Sequence, residues 1–159
     1  MGKFQSTKLF DNYSVAIRQW KAQHSHCQLL HGYALKFRVW FESNTPDDDN
    51  MGLDDMNWIV DYGGFKEKPV GNGLKAWMDH MFDHTVIVAK DDPNLSTFQT
   101  MEIMGIIQLR IVEATGAEKF AEFIYNKLNE FVQIETQGRV RIAQVEFMEH
   151  GKNTAIYKQ

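Results

Sequence analysis

Residues 24–33 read His24-Ser25-His26-Cys27-Gln28-Leu29-Leu30-His31-Gly32-Tyr33 and hold the single cysteine and three of the six histidines of the chain. Thiols and imidazoles are the side chains that most readily become bases, nucleophiles and metal ligands near neutral pH. Two chemistries follow. A thiol near an imidazole ionises more easily and can remove a proton or attack a carbon. Alternatively, His24, His26 and His31 can surround zinc. On an extended backbone residues two apart face the same way, and His31 can join them across a loop. Against both stands the plain reading of a buried cysteine as a small apolar side chain.

Two other constellations lie far along the chain. In Asp83-His84 a carboxylate can orient an imidazole, and the pair can then pass protons. Asp79-His80 is the same dipeptide four residues earlier, and at helical spacing the two would share a face. An exposed helix end, where histidine suits the C-terminal dipole, explains either pair without chemistry. Glu149, followed by His150-Gly151, can accept two parallel hydrogen bonds from an amidine-like edge such as that of guanine or a pterin. The plain alternative is an exposed carboxylate at a strand end. Asp47-Asp48-Asp49-Asn50 lacks the glycine and terminal glutamate of a calcium loop and reads as solvated turn.

The elements that must position these groups show in the hydrophobic period. From His31 to Glu42, apolar residues at odd positions (Tyr33, Leu35, Phe37, Val39, Phe41) alternate with Lys36, Arg38 and Glu42, which predicts a half-buried strand. A weaker strand pattern over roughly Leu9–Trp20 pairs with it through the loop that holds His24 to Leu30. Leu74, Trp77, Met78 and Met81 recur at helical spacing within Gly64–Phe82, so Met78 and Met81 are core residues. A turn at Asp91-Asp92-Pro93-Asn94, a short helix after Ser96 and a short strand over Leu109–Glu113 follow. Thr115 with Glu118 predicts a capping box, ahead of a helix striped by Phe120, Phe123, Ile124, Leu128 and Phe131. Gly138–Glu149 reads as a strand with some burial on both sides, and Thr154–Lys158 as the last strand. The order points to an α+β fold, with helices over one face of an antiparallel sheet.

Composition narrows the function classes. The 159 residues are 43% hydrophobic, which suits one domain over 1–159. Seventeen Lys and Arg against 21 Asp and Glu leave a net charge of -4, no footprint for nucleic acid or an anionic membrane. No apolar run approaches the ~20 residues that span a bilayer. One cysteine makes no internal disulfide, which predicts a reducing, cytoplasmic setting.

Taken together, these residues resemble the 6-pyruvoyltetrahydropterin synthase and 6-carboxytetrahydropterin synthase family over nearly the whole chain. Cys27-x-x-x-His31-Gly32 is similar to the family's Cys-x-x-x-His-Gly-His. Trp58-Ile59-Val60-Asp61-Tyr62-Gly63 is similar to its apolar run before an aspartate. Phe82-Asp83-His84 is similar to its Leu-Asp-His, and Ala117-Glu118 to its Pro-Thr-x-Glu without the proline. Glu149 stands at the position of its pterin-anchoring glutamate.

The resemblance implies a tunnelling fold (T-fold): a four-stranded antiparallel sheet with two helices on one face, assembled as a homo-oligomeric β-barrel, often a hexamer, with active sites between subunits. It implies a lyase acting on 7,8-dihydroneopterin triphosphate in pterin or deazapurine (queuosine-type) biosynthesis. Cys27 is then the base, Asp83-His84 the proton relay and Glu149 the pterin anchor, with zinc polarising the substrate side chain. The family's three zinc histidines are not all present: two positions hold Ile17 and Tyr33, and only His31 remains in register. Either His24 and His26 supply the missing ligands, or the site works without zinc. A T-fold protein that binds a pterin or purine without the family reaction is the alternative. A thiol hydrolase is a third reading, and it needs no Glu149.

Overall fold

A computed structural model describes residues 2–63 and 73–159. The described elements are β1 (Gln5–Ile17), β2 (His31–Ser43), α1 (Leu74–Phe82), β3 (Thr85–Ala89), α2 (Leu95–Ile103), β4 (Leu109–Val112), α3 (Ala117–Glu135), β5 (Val140–His150) and β6 (Asn153–Lys158). The expected start of the first helix, over 64–72, lies outside the described residues. The chain has the α+β T-fold architecture, with two corrections to the expected layout. The sheet has six strands in the order β4-β3-β1-β2-β5-β6. β1, β2, β5 and β6 pair antiparallel as expected, whereas β3 and β4 add parallel beside β1.

The second correction concerns the helices, which number three among the described residues and lie on both faces. α1 and α3 pack on the face of Val15, Ile17, Leu35, Phe37 and Ile142, forming the main core. Ala16, Val86 and Val88 point the other way and meet Phe98 of α2 in a second, smaller core. β3 is therefore covered on both faces, and all five of its residues are buried. That is why no alternation betrays it: a doubly covered strand reads as a continuous β-branched run. Among the described residues, no helix is long and apolar enough to cross a membrane.

Two irregularities keep apolar residues of changing parity on one face. In β1 the register with β2 shifts between Phe10 and Tyr13, with Asn12 in a left-handed conformation at φ 66°. Phe10 and Tyr13, three apart, are thereby both buried. In β5 the register shifts so that Gln144 and Ile142 face consecutive residues of β2. Val140, Ile142, Val145 and Phe147 all enter the core as a result. The mixed apolar pattern of this strand reflects a bulge, not burial on two sides.

The expected capping box of α3 does not form. Gly116 occupies the N-cap at φ 122° with no side-chain cap. The Thr115 hydroxyl instead donates to the Arg18 carbonyl at 2.9 Å, and Gln19 Nε2 donates to the Thr115 carbonyl at 2.8 Å. These bonds tie the end of β1 to the start of α3. Arg18 also forks onto Asp92, with Nε 2.8 Å from Oδ2 and Nη2 3.2 Å from Oδ1. The Asp92 side chain has no solvent exposure and that of Arg18 only 19%. Arg18→Ala leaves that carboxylate buried and partly unpaired. It is expected to lower stability by about 2 kcal/mol, less than a fully buried pair because the guanidinium is partly in water. Urea denaturation checks this, with Arg18→Lys recovering part of the loss.

Candidate functional site

The β1–β2 register sets the site. Ile17 pairs with His31 and Val15 with Tyr33. Residues opposite each other on antiparallel strands point to the same face, with Cβ atoms about 5 Å apart. Ile17, His31 and Tyr33 therefore form one patch at the loop end of the hairpin. This is the face that carries the main core.

The connecting loop is held by its own backbone. Gln19 N–H donates to the Cys27 carbonyl at 2.7 Å, and the Ser25 hydroxyl accepts from Cys27 N–H at 3.1 Å. Cys27 sits in a single 3-10 turn, His26–Gln28, with the residue exposed as a free thiol. His24 and His26 belong to this turning segment and are exposed. Ser25 between them is extended at φ -134° and ψ 155°, but His24 lies in a turn and His26 opens the 3-10 turn, so the extended stretch is a single residue long.

His31 is engaged at both ring nitrogens. Nδ1 lies 2.6 Å from the Leu29 carbonyl, which only accepts, so Nδ1 carries the hydrogen. Nε2 lies 2.6 Å from the Tyr33 hydroxyl, which therefore donates to its lone pair. The two rings pack with centroids 4.7 Å apart. Burial pushes the Tyr33 phenol up to about 12, reinforced by the negative charges of Glu149 and of a Cys27 thiolate. Glu149 sits where the β5–β6 register shifts, between the pairs Met148–Thr154 and His150–Asn153. A bulge of this kind re-aims a side chain at a strand end.

Asp83-His84 stands on the β3 side of β1. Thr85 and Tyr33 both pair with Val15, so their backbones are two strand spacings apart, about 10 Å. Asp83 caps α1, and His84 takes φ 57°, its N–H donating to the Ser14 carbonyl at 2.9 Å. Nδ1 of His84 meets Asp83 Oδ1 at 2.7 Å, with the side chains 78% and 47% exposed. The carboxylate takes the Nδ1 hydrogen, so the proton-accepting lone pair is on Nε2. Asp79-His80 is otherwise occupied. Asp79 accepts from the Tyr13 hydroxyl at 2.9 Å and from the Lys75 ammonium, while the His80 carbonyl accepts from Arg110 at 2.9 Å. Those bonds dock α1 on β1 and β4.

The donor set does not fit zinc. Among the described residues, no group of three His, Cys, Asp or Glu side chains converges as metal ligands. His31 has no uncommitted nitrogen, Ile17 opposite it is aliphatic and buried, and His24 and His26 do not assemble with it. Sequence reasoning treated Tyr33 only as a lost ligand. Its place two residues from His31 on one strand was the available signal that the two rings would meet. An open groove of about 440 Å³, lined by Phe4, Leu53, Trp58 and Tyr62, lies at the far end of the hairpin. It holds none of the thiol or imidazole groups.

Comparison with known structures gives matches along the full chain. An uncharacterized protein from Wolinella succinogenes superposes with a TM-score of 0.76 at 21% identity, covering 98% of each chain. A 6-pyruvoyl tetrahydropterin synthase from Caenorhabditis elegans gives 0.62 at 16% identity, covering 100% of this chain and 97% of that one. The Plasmodium vivax 6-pyruvoyl tetrahydropterin synthase gives 0.62 at 13% identity, covering 99% of both. A search of curated proteins finds no match. The hairpin with its Cys-His loop, the Asp-His pair after α1 and the terminal glutamate all fall inside residues 7–159, which match the model of the family described as 6-pyruvoyl tetrahydropterin synthase. On that match the chain belongs to the 6-pyruvoyl tetrahydropterin synthase family.

Proposed function

We propose that the chain is a pterin synthase-like lyase acting on 7,8-dihydroneopterin triphosphate or a close reduced pterin. The observation that carries this reading is the family match over residues 7–159, within which Cys27, the Asp83-His84 pair and Glu149 all fall. Glu149 accepts two parallel hydrogen bonds from the pterin ring. Cys27, as thiolate, removes a carbon-bound proton from the side chain. His84, oriented by Asp83, returns a proton through Nε2. A thiol base works only while reduced, which suits a cytoplasmic setting.

Cys27 lies in the loop that leads to β2 and the Asp83-His84 pair precedes β3, the two strands that flank β1, and all three residues are exposed. A homo-oligomer in which one subunit's pair faces the next subunit's thiol brings them together. Mixing Cys27→Ala and His84→Ala subunits is then expected to restore part of the turnover that each lacks alone. Subunits that never complement would refute the shared site.

Product formation from 7,8-dihydroneopterin triphosphate, followed by chromatography of the reduced pterins, tests the activity itself. The engaged His31-Tyr33 pair favours a second reading, binding without the family reaction. Pterin binding by calorimetry without turnover would establish that second reading. Neither binding nor turnover would sink both.

A further inference from the structure

The misfit between zinc and this donor set carries one more inference, which rests on the lyase reading above. We propose that the Tyr33-His31 pair takes the place of a metal, with the Tyr33 hydroxyl meeting the substrate side-chain oxygen and His31 as the positioning residue behind it. Three features of the geometry support this. Ile17, the residue facing His31 across the hairpin, is aliphatic and buried, so the patch has one imidazole and one phenol. The Leu29 carbonyl holds the hydrogen on Nδ1 and leaves the Nε2 lone pair toward Tyr33. Tyr33 donates to that lone pair, and its oxygen keeps acceptor capacity for a substrate hydroxyl.

The step balances without any further reactant. The substrate hydroxyl donates to Tyr33 Oη. As its O–H bond breaks, that proton joins Oη while the Tyr33 proton moves to His31 Nε2. The electron pair stays on the substrate oxygen. The imidazolium that forms keeps its Nδ1 hydrogen on the Leu29 carbonyl. The reverse transfers return the proton at the end of the cycle.

Metal content and steady-state kinetics test the proposal together. Wild-type protein is expected to turn over without bound zinc and to be indifferent to chelator. Tyr33→Phe, which keeps the ring, is expected to lower kcat on the order of 10²-fold. Its KM should stay within about threefold, the mark of a group acting on the chemical step. His31→Gln is expected to lower kcat less, again at unchanged KM. Ile17→His combined with Tyr33→His supplies three imidazoles on one face and is expected to gain about one zinc per chain. Stoichiometric zinc in the wild type, lost in His31→Ala, overturns the proposal. So does full turnover by Tyr33→Phe, which leaves the lyase reading standing. No wild-type turnover at all overturns that reading, and this inference with it.

Discussion

Cys27→Ala is expected to lower kcat by roughly 10²–10⁴-fold, the range for a positioned base, with folding unchanged. The second half of that expectation follows from the surroundings of the residue. Cys27 is exposed, and its loop is organised by the main chain and by Ser25, not by the sulfur. Removing the sulfur therefore leaves no core cavity and breaks none of the bonds that shape the turn. Cys27→Ser should be nearly as slow, because an alcohol gives up its proton far less readily than a thiol. A thiol hydrolase would also lose activity here. It would, however, leave a covalent acyl adduct on wild-type Cys27 by mass spectrometry, which a proton-abstracting base does not. Wild-type kcat from the alanine variant at full occupancy would remove Cys27 from the chemistry.

How legible this fold and site were in the sequence depends on whether local pattern or tertiary contact decided each element. The β1–β2 hairpin and the α3 stripe were legible, because one buried face imposes period two or period 3.6 on the chain. β3 was hidden for the opposite reason: α2 covers its second face, so its period vanishes. The bulges at Asn12 and in β5 were hidden because each flips parity midway, so the strand looks weak or two-sided. The Thr115 cap was misread because a tertiary acceptor, the Arg18 carbonyl, outcompeted the local helix amides.

The site divides along the same line. Residue types singled out Cys27, Asp83, His84 and Glu149, and the family resemblance chose Asp83-His84 over Asp79-His80. The coordinates show how the two pairs differ: Asp79 is occupied by Tyr13 and Lys75, whereas Asp83 holds the His84 ring. The histidine-cluster reading needed His31 to join His24 and His26 across the loop, and among the described residues the three do not converge as ligands. What replaced it was a side-chain pair on an ordinary strand, His31 and Tyr33, whose contact is local but whose isolation from other ligands is not. Ile17 supplies that isolation from another strand.

Glu149→Gln is the change with the largest expected effect on binding. The pterin edge presents neighbouring N–H donors, and a carboxylate meets them with two acceptor oxygens. Glutamine keeps one acceptor and turns an N–H donor toward the other site. One bond is lost and a donor on the ligand is left facing a donor, at a cost of about 2–4 kcal/mol once both are desolvated. That corresponds to roughly 30- to 10³-fold in KM or in the dissociation constant of a reduced pterin. Stability should change little, because Glu149 lies at the irregular end of β5 and outside the core. Glu149→Asp keeps both oxygens but draws them back by one methylene, so it should recover part of the affinity. Calorimetric titration with 7,8-dihydroneopterin separates the cases. A strong loss in Glu149→Gln with partial recovery in Glu149→Asp supports a two-bond anchor. Equal affinity in all three proteins would mean that the pterin edge is held elsewhere, and the proposed orientation of the side chain toward Cys27 and Tyr33 would fall with it.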